Sequence, residues 1–186
     1  MAVQLLRRQF TVAQYHQMVE AGILTEDDRV ELLEGEVIEL SPISSCHAAC
    51  VDRLNRLFSD RLRDRAIVRV QNPVELSDRS EPRPDLALLQ PRPDFYEAGH
   101  PQPQDILLLV EVADTTVEFD REIKIPLYAK SGVREVWLVD LNENAIAVYQ
   151  EPSLSGYGQV EELQRGQVLT VQAFSEVSLA VDEVLG

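Results

Sequence analysis

Lysine is nearly missing from this 186-residue chain: only Lys124 and Lys130 occur, and the other fifteen of its 17 basic residues are arginines. A protein that uses arginine for general surface charge makes each lysine more informative. Basic residues as a class are also scarce, 17 against 32 acidic ones. The formal charge of −15 repels phosphate backbones at long range, which argues against a nucleic-acid-coating role but leaves room for a locally organised, metal-assisted site. Cysteine is limited to Cys46 and Cys50. One helical turn apart, they are poorly placed for a disulfide, and with His47 they offer at most three ligands, with no second pair to complete a structural zinc site. Buried or half-buried thiols are expected instead. No apolar run approaches the roughly 18 residues that span a bilayer, and residues 1–10 lack the long apolar stretch of a signal peptide. A cytoplasmic protein without membrane attachment is therefore expected. Neither a Walker phosphate loop nor a Rossmann glycine fingerprint is present, which disfavours a phosphate-cofactor enzyme.

What is present fits an ordinary globular chain, 45% apolar and 26% charged, of a length that suits one domain over residues 1–186. Val12, Tyr15, Met18 and Val19 recur at helical spacing between a capping Thr11 and a terminating Gly22, which predicts an amphipathic helix over 11–22. Residues 29–33 and 36–40 alternate around Glu34-Gly35, the pattern of a hairpin. A second amphipathic helix is predicted over 47–63 from Val51, Leu54, Leu57, Phe58 and Leu62. Short strands are predicted at 66–70, 74–76 and 85–89, followed by a proline-rich surface loop over 90–104. The most apolar run, 106–113, reads as a central strand covered on both faces. A helix over 120–131 carries Pro126, which leaves its start open, and strands follow at 133–141, at 145–149 and around Val160 and Val168. Strand, helix, strand in that order implies one right-handed parallel crossover within an otherwise antiparallel sheet.

Two carboxylates stand out. Glu111 interrupts the apolar run 106–113, where a charge is costly unless paired, protonated or bound to a cation. Asp85 follows Pro84 and opens the apolar residues 86–89, so its side chain emerges at a sheet end. Taken singly, Glu111 reads equally as an acid meeting an arginine at a strand end, and Asp85 as a strand-start residue. Together they offer two oxygen ligands for a hard divalent cation such as Mg²⁺, with Lys124 adding a positive charge from the next helix.

Pro84-Asp85, the strand bearing Glu111-Val112-Ala113 and a nearby lysine resemble the PD-(D/E)XK signature of restriction-endonuclease-like nucleases, with the two acids 26 positions apart. A narrower resemblance, to the Uma-type family of bacterial endonucleases, rests on further runs between Thr11 and Tyr149. These are 31–36 (ELLEGE), Ser41-Pro42 with His47, Arg83-Pro84-Asp85 and 110–112 (VEV), then Asp120, Lys124, Tyr128 and 132–140 (GVREVWLVD). The superfamily's lysine normally lies two residues after the glutamate, where this chain has Ala113. The resemblance implies that Lys124 supplies the ammonium from the following helix, with Asp120 and Tyr128 on the same helical face. Glu31 and His47 match family positions as site neighbours, although alone each reads as a pairing or capping residue. Trp137 and Asp140 read as core and turn residues.

The resemblance implies an α/β restriction-endonuclease-like core, with a mixed central sheet flanked by helices and an added N-terminal helix and hairpin. It also implies a divalent-metal-dependent endonuclease that hydrolyses nucleic-acid phosphodiester bonds, DNA first among them. Asp85 and Glu111 would bind Mg²⁺ or Mn²⁺, and Asp85, Glu111 and Lys124 would be catalytic. Lys124→Ala is expected to slow cleavage while leaving folding and metal affinity largely intact. A homodimer is the commonest closed assembly and the expected one. The alternative is a non-catalytic domain of the same fold that binds a protein partner through its sheet edge or proline-rich loop, and the net charge favours that alternative.

Overall fold

In the computed structural model, residues 7–25 and 27–186 are described, so part of the signal-peptide reading at residues 1–10 lies outside them. The first helix, α1 (Val12–Glu20), starts at a full capping box: the Thr11 side chain accepts from Gln14 N, and the Gln14 side chain accepts from Thr11 N. Strands β1 (Val30–Leu33) and β2 (Glu36–Glu39) form a hairpin whose two turn residues, Glu34 and Gly35, have φ of 48° and 85°. Both angles suit the primed two-residue turn that matches strand twist. Gly35 is required twice over, since a Cβ there would stand 2.8 Å from the Cβ of Gln9.

Helix α2 (Ser45–Leu62) is capped by the Ser44 hydroxyl, which accepts from His47 N. Its buried residues, His47, Cys50, Val51, Leu54, Phe58 and Leu62, fall at intervals of three and four and form one stripe. Cys46 is exposed and Cys50 buried, both as free thiols. Burial pushes the Cys50 thiol up to about 11. Strands β3 (Ile67–Val70), β4 (Leu86–Leu89), β5 (Ile106–Ala113), β6 (Glu135–Asp140), β7 (Ala145–Ser153) and β8 (Gly156–Gln164) make one six-stranded sheet in that order. Only β5 and β6 run parallel, as the single crossover requires, and β5 lies inside the sheet.

Because side chains alternate along a strand, β5 feeds two cores. Leu108, Val110 and Val112 pack with α2, whereas Leu109 and Ala113 face the crossover. Glu111 belongs by alternation to the second set. The crossover comprises α3 (Val117–Phe119), a π-helical turn over Asp120–Lys124 and α4 (Ile125–Lys130). Its start, which Pro126 left open in the sequence, falls at Val117. The wide turn, in which Ile125 N donates to Asp120 O, lies directly before Pro126. An α-helical interior would crowd the proline ring against the preceding turn, and the widened turn relieves that clash.

Three sequence readings need correction. Residues 74–76 are not a strand: Val74 N donates to Pro82 O, Glu75 N to Pro101 O and Leu76 N to Ser80 O. Donors divided between two neighbouring segments build no ladder, and Pro73 and Pro82 have no N–H to contribute. Strand β6 is shorter than the predicted 133–141. A second hairpin of β9 (Val168–Val171) and β10 (Phe174–Ala180), then α5 (Val181–Leu185), closes the α2 side of the sheet, and of these only β9 was anticipated. Trp137 is fully buried against Phe58, as expected of a core residue, and Asp140 accepts from Asn142 N and Glu143 N as a turn residue does. No described helix is long and apolar enough to cross a membrane.

Candidate active site

Glu111 and Lys124 are both more than nine-tenths buried. Lys124 Nζ stands 2.9 Å from Glu111 Oε1 and 3.3 Å from Glu31 Oε2, and the Tyr128 hydroxyl donates to the same Glu111 oxygen. Both donors reach Glu111 through Oε1, which leaves Oε2 without a donor among the described residues. Lys124 and Tyr128 reach Glu111 because the crossover packs on the sheet face to which alternation assigns the acid. Asp120, also buried, accepts from the Thr116 hydroxyl at 2.8 Å. The expectation that Lys124→Ala would leave folding intact is corrected by this geometry, since its removal strands two buried carboxylates.

Asp85 lies at the adjacent sheet end, where β4 begins. Its Oδ2 accepts from Val112 N at 2.9 Å and stands 3.0 Å from His47 Nε2, while its Oδ1 takes Gln71 Nε2 at 3.3 Å. The backbone bond from Val112, next to Glu111, ties the two acids to one end of β4 and β5. Gln71 was not singled out in the sequence. It adopts φ 53°, an uncommon conformation for a residue with a side chain, and no sequence signal marks it. Glu31 reaches the site because β1 pairs with the chain before β4: Leu32 and Glu81 exchange backbone hydrogen bonds, and Glu31 Oε2 accepts from Arg83 N at 2.9 Å.

All five predicted residues, Glu31, His47, Asp85, Glu111 and Lys124, line one cleft of about 520 Å³, together with Asp120, Gln71, Arg29 and Arg83. With Glu39 and Asp114, six carboxylates thus line it, and among the described residues only Lys124 and His47 come within ion-pair distance of them. Burial pushes Glu111 up to about 8, with Asp120, Asp85 and Glu31 adding to the rise and Lys124 opposing it. Burial likewise lifts Asp120 to about 6 against the pull of Lys124 and Thr116. Burial lowers His47, but Asp85, Asp114 and Asp120 outweigh it and hold the imidazole above its ordinary value. Lys124 is held high in the same way, since Glu111, Glu31 and Asp120 outweigh its burial.

These shifts set a pH dependence. Between about 4.5 and 8 the folded protein keeps a proton on Glu111 that the unfolded chain has released, and Asp120 does so between 3.8 and about 6. Stability therefore falls as pH rises through these windows. His47, raised when folded, adds stability below its unfolded value that is lost in the same direction. Urea unfolding of metal-free protein is expected to show a higher midpoint at pH 5 than at pH 8, with Glu111→Gln flattening the difference. A midpoint that rises toward pH 8 would contradict the assignment.

The donors present fit a hard divalent cation: the cluster is oxygen-rich and short of positive charge, and buried Glu31 Oε1 has no hydrogen-bond partner among the described residues. In this conformation no three of the site's acids and His47 bring ligand atoms within 4.8 Å of one another. A Mg²⁺ site ordinarily takes only one or two carboxylates and is completed by water and phosphate.

Residues 12–182 match the model of the Uma2 family, described as "Putative restriction endonuclease". Among solved structures, that of "a putative nuclease belonging to DUF820" from Anabaena variabilis ATCC 29413 is similar in fold, with a TM-score of 0.72 at 17% identity over 95% of this chain and 97% of that one. No curated protein matches. The family match runs from α1 into α5 and takes in the whole cleft, so this chain belongs to the Uma2 family of restriction-endonuclease-like proteins.

Proposed function

We propose that this chain is a metal-dependent nuclease that hydrolyses phosphodiester bonds of nucleic acid, DNA in the first instance, with Asp85 and Glu111 as ligands to Mg²⁺ or Mn²⁺. The observation that carries the reading is the Lys124 ammonium 2.9 Å from Glu111, delivered by the crossover where Ala113 leaves the strand without one. When bound, the cation supplies Lewis-acid polarisation of the phosphate and lowers the pKa of a water ligand. Asp85 is oriented for this task by His47, Gln71 and the Val112 amide. Lys124 keeps its proton, orients Glu111 and places positive charge where the pentavalent phosphate accumulates negative charge. Tyr128 fixes the rotamer of Glu111 by donating to Oε1. Arg29 and Arg83 on the cleft wall give the phosphate backbone a local attraction that the net charge of −15 does not. The reading extends to one domain over residues 1–186 in a cytoplasmic protein. Two copies of one site cut both strands of a duplex most simply, so a homodimer belongs to it, and light scattering checks the mass.

A cleavage assay on single- and double-stranded DNA and RNA, with and without Mn²⁺, tests the reading. Wild type is expected to cleave only with the metal, and Asp85→Ala to cleave at least about 10²-fold more slowly, the scale of losing one electrostatic element of a transition-state site. Equal rates for both proteins, or no metal-dependent cleavage of any substrate, would overturn it and favour a protein-binding module.

A further inference from the structure

In a second depression, which shares Arg83 with the cleft, three segments far apart in sequence bring metal-ligating side chains together. His16 lies on α1, Glu81 in the segment that bridges to β1, and His100 at the end of the proline-rich loop. One ligand atom from each lies within 4.8 Å of the others. His16 Nε2 stands 2.9 Å and 3.1 Å from the two Glu81 carboxylate oxygens, and the His16 and His100 rings meet nearly edge to face with centroids 6.2 Å apart. Two of the chain's three histidines thus face one carboxylate.

That carboxylate is only 3% exposed. Among the described residues no lysine or arginine comes within ion-pair distance of Glu81, and its one side-chain partner is His16, whose own side chain is 45% exposed. A buried carboxylate whose one side-chain partner is a half-exposed imidazole is poorly compensated. A bound cation would supply the missing charge. The site also has an entry path, since all three residues line a depression of about 590 Å³ whose wall includes Tyr15, Leu24 and Asp28.

The ligand set selects the kind of cation. Two imidazoles and one carboxylate suit a borderline ion such as Zn²⁺, whereas the acids of the cleft suit a hard one. Bonds of about 2.0–2.1 Å in a tetrahedron place ligand atoms roughly 3.4 Å apart. The His16–Glu81 separations already lie near that value, and a ligand atom of His100 lies within 4.8 Å of both. We propose that His16, Glu81 and His100 form a Zn²⁺ site with an exchangeable fourth position open to the depression. Zinc there clips α1 and the proline-rich loop onto the segment paired with β1. Leu32 and Glu81 exchange backbone hydrogen bonds one residue from Glu31, so the clip also braces the strand that carries Glu31 into the cleft. The proposal does not depend on the nuclease reading.

The test is a Zn²⁺ titration of the full chain against a chromophoric chelator, repeated with Co²⁺ to read the intense visible absorption of a tetrahedral site. Wild type and Asp85→Asn are expected to bind one Zn²⁺ each at this site with equal affinity. His16→Ala and His100→Ala are expected to weaken it by at least the roughly 10–100-fold that even an outer-sphere partner costs. Zn²⁺ should raise the thermal midpoint of wild type and not that of His100→Ala. His100 lies in a surface loop, so this variant tests the site even if His16→Ala disturbs α1, and circular dichroism verifies its fold. Zinc affinity unchanged in His100→Ala, wild type unable to compete with the chelator, or loss of the site in Asp85→Asn instead would each overturn the proposal.

Discussion

Replacing Lys124 with alanine is expected to damage both stability and cleavage. Glu111 and Glu31 would remain almost wholly buried without their cation, and breaking a buried pair on one side costs about 3–5 kcal/mol. Loss of the ammonium at the reacting phosphate is expected to slow cleavage by about 10²–10³. A second substitution separates the two effects. Adding Glu111→Gln to Lys124→Ala replaces one of the stranded carboxyl groups with an amide and should recover a substantial part of the stability, because deleting both members of a buried pair costs far less than deleting one. It should recover none of the cleavage. Urea unfolding and the Mn²⁺ assay on the single and double variants read the two quantities. A Lys124→Ala protein as stable and as active as wild type would remove Lys124 from the site and from the core.

A comparably large stability loss, with no direct contact to the cleft, is expected at Trp137. This only tryptophan of the chain is fully buried in β6 against Phe58, and its indole N–H donates to Glu135 at 3.0 Å. Glu135 is itself wholly buried, and it is held by that bond with those from Gln150 Nε2 and Gln172 N. Trp137→Ala would open a large cavity and remove one donor from a buried acid, so about 3–5 kcal/mol should be lost, against the 5–15 kcal/mol by which domains are usually stable. Trp137→Phe keeps most of the volume and loses the donor, for a smaller cost of about 1–3 kcal/mol. Circular dichroism follows both, since the fluorophore goes with the residue. Near-equal midpoints for wild type and Trp137→Ala would show that this part of the core repacks freely.

Much of this architecture was legible because its causes are local. The capping box at Thr11 and Gln14, the Glu34-Gly35 turn and the stripe along α2 each depend on residues within a few positions of one another. The continuous apolar run of β5 also marks a doubly covered strand without reference to the rest of the chain. Glu111 stood out for the same reason, as a charge among residues that must be buried. The second hairpin and α5 escaped because their signals are weak: β10 is bulged between Phe174 and Ser178, and α5 has five residues, too few to show a helical period.

Residue types and their spacing along the chain determined the central strand, the crossover and the candidates Asp85, Glu111 and Lys124, and the family resemblance added Glu31 and His47. Only the tertiary structure decided that Lys124 is a buried partner of two acids instead of a surface charge, that Gln71 and the Val112 amide hold Asp85, and that His16 and His100 meet at Glu81. Helical or strand periodicity states which face of an element a residue occupies. It says nothing of which other segment, dozens of residues away, packs against that face, and pairing, desolvation and ligand geometry all arise at that contact.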